Sequence, residues 1–448
     1  MNIVHYARRR AAVLEKMRAV GGGVAIIPTA PEVMRNADAD YPYRHDSYFY
    51  YLTGFPEPEA MLVLVAAQSE EHDKVYLFCR EKNEEREIWD GYRYGPAAAK
   101  ERFGVDAAFA SNQIDAELPR LIANAPALFY ALGSSQELDA KMQGWLNAVR
   151  SQVRAGVTAP SAAFDVRMLL NEMRLVKDEH ELAIMRRAAD ITAEGHARAM
   201  RTAKPGLREY HLEAELLHEF RRNGSQFPAY GSIVAAGANA CVLHYRAGDA
   251  ELRDGDLVLI DAGCELDSYA SDITRTFPVN GKFSGPQKAL YELVLAAQQA
   301  AIAATGPGKL FTDGHDAALA VLAQGMLDTG LLDKNQVGSC DDVIANGSYR
   351  QFYMHRTGHW LGMDVHDVGD YRDPAVSATE KPYRALVPGM VLTIEPGIYV
   401  RPAPGVPEEF WNIGIRIEDD AVVTQDGCEI ITDQAPKTIA DIEAVMRG

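Results

Sequence analysis

The chain has 448 residues, 47% of them hydrophobic and 24% charged, with a formal net charge of -18 and 36 glycines and 22 prolines along its length. That length exceeds what one core normally serves, so two domains are expected, and the balance of residue types excludes a disordered or fibrous chain. The acidity is offset by no long Lys/Arg run, which argues against nucleic acid or an anionic membrane as partner.

The opening MNIVHYARRRAAVLEKM is basic but lacks a following apolar core and a small-residue cleavage site, so no secretory signal is expected. No apolar run approaches the roughly 20 residues that span a bilayer. Cys79, Cys241, Cys264, Cys340 and Cys428 are scattered and odd in number. They read as reduced, mostly buried residues, with the cytoplasm as the expected location.

A helix-like segment near Arg8 to Met17 comes first, then Gly21 to Gly23 and the apolar run AIIP. MLVLVA from Met61 and KVYLFC from Lys74 read as strands, and Ile114 to Leu118 as a helix with a break expected at Pro119. This mixture predicts an N-terminal α/β domain over residues 1–173. Its aromatic segment YRHDSYFYYLTGFPEPEA, from Tyr43 to Ala60, could line a pocket, although packing is the simpler use of so many rings.

Near Met173 the pattern changes. Ile184, Ala188, Ile191 and Gly195 recur at helical spacing, and a second domain over 174–448 is expected to begin here. A further helix runs from Glu209 toward Arg222 with Leu212, Leu216, Leu217 and Phe220 on one stripe, stopped by Asn223-Gly224. The strand-like DLVLIDAG and SDITRTFPV follow, then Ser284, Gly285 and Pro286 introduce an Ala-rich helix beginning near Gln287. The order helix, helix, strand-rich segment occurs twice, which predicts an internal duplication.

Asp261, Asp272, Glu395 and Glu418 each lie in or beside an apolar, strand-like run, where a carboxylate is costly unless something positive neutralises it. A hard divalent cation is the natural candidate. A tight hairpin centred between Leu266 and Asp267 would set Asp261 and Asp272 directly opposite on one face; the plainer alternative is one Asp beside a turn and one capping a strand. Glu395 precedes Pro396-Gly397 and Glu418 precedes Asp419-Asp420, so each could point inward while a turn bends away, or could be a solvated strand end. His355 and His359 are four apart in MHRTGHW and His366 follows in DVHDVG, without the glutamate of an HExxH zinc helix. One imidazole among carboxylates suits a pair of oxygen-ligated cations. His359 is the chosen ligand; His355 and His366 could orient substrate, shuttle protons or simply pack.

CVLHY around His244, LIDAG followed by SDITRTFPV, HRTGHWLGMDVHDVG, TIEPGIY and GIRIEDD, in that order, resemble the pita-bread metallopeptidase family, most closely its proline-specific aminopeptidases. The resemblance covers most of the chain and implies a catalytic domain with pseudo-twofold halves behind a substrate-shaping and oligomerisation domain. It implies two divalent cations, Mn²⁺ by usual expectation, with Asp261 on one, Asp272 and Glu418 bridging, and His359 and Glu395 on the other. Glu395 would accept a proton, His355 and His366 would act in the cleft, and His244 would flank the proline side. Tyr399 and Arg416 resemble members of a supporting hydrogen-bond network. Trp89 is either a contact reaching a neighbouring subunit's cleft or an ordinary core tryptophan. The expected substrates are peptides with penultimate proline, with prolidase action on Xaa-Pro dipeptides as the alternative. The expected assembly is a homo-oligomer, a tetramer by family habit.

Overall fold

Hydrophobic strands and amphipathic helices alternate through the chain in a computed structural model that describes residues 3–246, 248–377 and 379–448. The chain divides into two compact units, Met1–Glu172 and Met173–Gly448.

In the first unit the opening helix runs Ile3–Ala19, longer than its strongest apolar signal. A six-stranded mixed sheet has the order Ala107–Ala110, Lys74–Cys79, Met61–Ala66, Gly23–Pro28, Ala127–Phe129, Ala162–Phe164. The run AIIP and Met61–Ala66 are its buried centre, and Lys74–Cys79 beside them is buried over Leu77–Cys79. The aromatic segment packs: the helix Ser47–Thr53 starts at Asp46, whose Oδ1 accepts from Phe49 N, and places Phe49, Tyr51 and Leu52 in the interior. The break expected at Pro119 does not occur, because the helix Ile114–Ile122 continues through it. Leu118 and Ile122 are both fully buried, and that apolar contact outweighs the hydrogen bond Pro119 cannot donate.

The second unit is built twice from one plan. The helix Glu179–Thr202, capped reciprocally by Asp178 and Glu181, packs on Glu209–Arg222. Their partners in the other half are Gly285–Ala303, which starts two residues earlier than its sequence signal, and Asp313–Asp328. Each helix pair is followed by a long antiparallel hairpin. The first hairpin joins Leu257–Ala262 to Ile273–Pro278, and the second joins Val391–Ile394 to Asp419–Val423. Both hairpins continue past an interruption into shorter paired strands, Cys264–Leu266 with Tyr269–Ala270 and Gly397–Val400 with Ile413–Arg416. The interruptions hold Asp272, Glu395 and Glu418, and Asp261 is the second-last residue of the strand that leads into the first of them. A bridge between Thr274 and Glu418 joins one hairpin to the other.

Candidate metal centre

The first hairpin turns at Asp267-Ser268, both at positive φ (47° and 71°), a turn whose twist matches paired strands. The predicted centre, one residue earlier, is therefore wrong, and Asp261 lies opposite Thr274 rather than Asp272. The correction shifts the pairing by two residues, so both aspartates keep one face. Between them the ladder opens at Gly263, where a Cβ would lie 1.6 Å from the Ser271 carbonyl oxygen. Only glycine permits that approach. The backbone N–H of Asp272, released from the ladder, donates instead to Asp420 Oδ2 at 3.0 Å.

In the second hairpin Ile394 pairs with Asp419 and Gly397 with Arg416, so one register runs through the gap and sets Glu395 opposite Glu418. The turns expected after these glutamates are absent. Pro396 merely interrupts the donors, and Asp419 and Asp420 are fully buried strand residues. Asp419 is neutralised by Arg275 at 2.7 Å and Lys437 at 2.9 Å, which explains how acids that read as a turn can sit inside.

His359 arrives on an irregular segment laid along Val391–Ile394. Thr393 N donates to its carbonyl at 2.9 Å, and its own N–H donates to Thr393 Oγ1 at 3.1 Å. Gly358 makes the approach possible, since a Cβ there would lie 2.0 Å from the Thr393 carbonyl oxygen. The His359 Nδ1–H donates to the Trp360 carbonyl at 2.9 Å, which leaves the Nε2 lone pair toward the carboxylates. Nε2 is 3.7 Å from Asp272 Oδ2 and 3.8 Å from Glu395 Oε1. Asp272, His359 and Glu418 each offer a ligand atom within 4.8 Å of the others'.

Asp261 and Glu395 join this trio from its flanks. Tyr230, which carried no sequence signal, contacts Asp261 Oδ1 at 2.5 Å and also Asp272 Oδ1. One phenolic hydrogen can be donated to only one of these two carboxylates at a time. Arg416 donates to Asp261 Oδ2 at 2.6 Å, to Thr274 Oγ1 at 3.1 Å and to the Tyr399 hydroxyl at 2.9 Å. Thr274 in turn donates to Glu418 Oε2 at 2.6 Å. The Tyr399 hydroxyl meets His355 Nε2 at 2.8 Å, while His355 Nδ1–H donates to the Arg356 carbonyl. Tyr399 and Arg416 are hydrogen-bonded to one another beside the carboxylates, and Tyr230 and Thr274, which carried no sequence signal, bond to the same groups.

Burial and mutual repulsion push the Asp272 and Glu395 carboxyls well above the carboxylate range, and burial with the Asp261 charge raises Glu418 to about 8. Burial lowers His355 and His359 to about 4, so both imidazoles are neutral near pH 7. A cluster of acids that cannot all ionise, next to a neutral imidazole with a free lone pair, fits one or more divalent cations.

The cluster opens into a cavity of about 860 Å³ lined also by His244, His355 and His366. The His366 ring stacks on that of His359 at 3.9 Å. Behind the cluster, His315 Nδ1 meets Thr357 Oγ1 at 2.8 Å, and the Thr357 carbonyl accepts from Glu395 N. Trp89 belongs to the first unit and is 82% exposed on the helix Glu84–Asp90, which excludes an ordinary core role.

Residues 183–425 match the model of metallopeptidase family M24, and residues 6–130 match the aminopeptidase P N-terminal domain. Along 441 residues the chain is 44% identical to the Xaa-Pro aminopeptidase of Escherichia coli, covering 98% of this chain and 97% of that one. The chain belongs to metallopeptidase family M24. Among solved M24 structures, the aminopeptidase PepP of Pseudomonas aeruginosa superposes with a TM-score of 0.95 at 50% identity, covering 100% of this chain and 98% of that one. A zinc-substituted E. coli aminopeptidase P in complex with product gives 0.94 at 43% identity with the same coverage. The two-domain α/β and pita-bread architecture expected from the sequence is that of these M24 enzymes.

Proposed function

We propose that the chain is a metal-dependent Xaa-Pro aminopeptidase, releasing the N-terminal residue from peptides with proline in second position. The observation that carries this reading is likeness in sequence and fold to aminopeptidase P over nearly the whole chain. Asp261, Asp272, His359, Glu395 and Glu418 would hold the divalent cations, proposed as two Mn²⁺ with Asp272 and Glu418 as the ligands they would share. When bound, such cations supply Lewis acidity toward a water and the peptide carbonyl.

The protein's own groups do the rest. Glu395, opposite Glu418 at the end of a rigid strand, is placed to accept the proton of the attacking water. Arg416 holds Asp261 and Tyr399 in fixed orientation, and Tyr399 holds His355. His366, exposed in the lining, contacts the substrate backbone in this reading, and His244, also exposed there, flanks the proline side. A proline at the second position presents a tertiary amide with no N–H and a restricted preceding residue, so selection works through shape.

In the same proposal the first unit shapes the cleft and mediates a homotetramer, with exposed Trp89 offered to a neighbouring subunit, and the protein works in the cytoplasm. No helix among the described residues is long and apolar enough to cross a membrane. Prolidase is the second reading, because the metal ligands alone do not distinguish it.

The test is hydrolysis of Xaa-Pro dipeptides, Xaa-Pro-Xaa tripeptides and Met-Ala-Xaa tripeptides by Mn²⁺-loaded protein, with mass detection of products. Release of the first residue mainly from the proline tripeptides is expected. Strong preference for the dipeptides makes the enzyme a prolidase, and cleavage of only the Met-Ala peptides overturns both readings.

A further inference from the structure

The charges along the cavity are segregated by depth. All four lining carboxylates, Asp261, Asp272, Glu395 and Glu418, belong to the buried or half-buried metal cluster, together with the buried cation Arg416. The exposed residues of the lining are Gly231, His244, His366 and three arginines, Arg246, Arg356 and Arg372. No acid is among them, in a chain whose net charge is -18.

The arginines come from three separate segments, and none of the three forms an ion pair among the described residues. Arg356 follows His355, and Asp316 feels its charge without pairing with it. Arg372 lies 3.5 Å over the Tyr383 ring and donates to the Lys381 carbonyl at 2.9 Å, which holds it on its strand-like bridge. Arg246 has its NH1 3.2 Å from where a Gly231 Cβ would be, so glycine leaves it room. Unpaired guanidiniums at the mouth of a low-dielectric cleft raise the local concentration of anions and offer them paired donors.

We propose that Arg246, Arg356 and Arg372 form a collar that binds a peptide carboxylate beyond the scissile bond. This rests on the Xaa-Pro peptidase reading and names its substrate class: short peptides through their C-terminal carboxylate, or longer ones through an acidic side chain near the cleavage site. The collar acts on capture, so it lowers KM more than it changes kcat.

The test compares the metal-loaded enzyme on Ala-Pro-Ala, its C-terminal amide, and the amides of Ala-Pro-Glu and Ala-Pro-Gln. A roughly fivefold higher kcat/KM for acid over amide, carried by KM, is expected, a size within reach of exposed charge pairs. The advantage should shrink in 0.5 M salt, where the screening length falls below about 5 Å, and the ratio should approach one in R246Q/R356Q/R372Q, whatever its absolute rate. Preference confined to Ala-Pro-Ala identifies the C-terminal carboxylate as the bound group, and a matching Glu-over-Gln preference extends it to side chains. Equal kcat/KM for all four peptides overturns the collar and leaves the peptidase reading standing. Absence of turnover on every one overturns the peptidase reading and the collar with it.

Discussion

Asp420 Oδ2 accepts the backbone N–H of Asp272 at 3.0 Å, so a fully buried side chain replaces the ladder bond that the Gly263 interruption removes. Burial pushes the Asp420 carboxyl well above the usual range, so it resembles an amide in charge. Asp420→Asn can keep the acceptor and should be nearly silent. Asp420→Ala leaves a buried donor unmet, at a cost of about 1–3 kcal/mol, and should weaken cation binding roughly 10–100-fold, the usual range for supporting groups. Thermal denaturation with calorimetric metal titration checks both; equal behaviour of the two variants contradicts this role.

Asp272→Ala removes the carboxylate nearest to both His359 and Tyr230. Loss of bound metal together with nearly all turnover is expected. Near-normal activity at unchanged metal content would rule out a shared ligand.

His366→Ala should behave differently, because His366 stacks on His359 and is exposed in the cavity lining. Turnover should fall while metal content stays intact. Elemental analysis of the purified variant is the deciding readout, and loss of metal would place His366 among the ligands.

Asp367, next to His366, is buried against Arg174 at 2.6 Å and Lys177 at 2.9 Å, with every partner side chain about 1% exposed. Removing the acid strands Lys177 and takes from Arg174 one of its two carboxylates, the other being Asp364 at 2.7 Å. Asp367→Ala should therefore destabilise the second unit by roughly 3–5 kcal/mol. The midpoint of urea denaturation measures it, and a shift under about 0.5 kcal/mol, as at ordinary surface sites, would show that the cations find other partners.

The raised carboxyls set a pH dependence with a definite sign. Glu418 titrates near 8 in the folded metal-free protein, and Asp272 and Glu395 are also raised, against roughly 4 for unfolded acids. The folded state then holds more protons between those limits. Stability of the metal-free protein should fall as pH rises from about 4 to 8, by up to about 1.4 kcal/mol per pH unit for each such proton. Cations displace the same protons, so the Tm difference between metal-loaded and chelator-treated protein should widen with pH. A gap that is constant or narrows contradicts the cluster's electrostatics.

The clustered carboxylates and His359, most strands and the doubled helix pairs were legible in the sequence, since each announces itself through local spacing or an apolar neighbourhood. The depth of Asp419 and Asp420 was not, because Arg275 and Lys437 reach them across the fold. Tyr230 lies 31 residues before Asp261 and meets it only through tertiary structure. The hairpin register missed by one residue at the turn because Asp267 and Ser268 both adopt positive φ, a choice composition alone does not force. The three rim arginines escaped notice for a related reason: only the folded cavity brings them to one mouth.

The most direct test strips the protein with a chelator, returns Mn²⁺ stepwise, and follows release of the first residue from an Xaa-Pro-Xaa tripeptide alongside bound metal. The account predicts no turnover in the stripped protein and recovery complete at about two ions per chain, the number a shared-ligand pair requires. Undiminished turnover at less than about 0.1 ion per chain, far below that requirement, would contradict it.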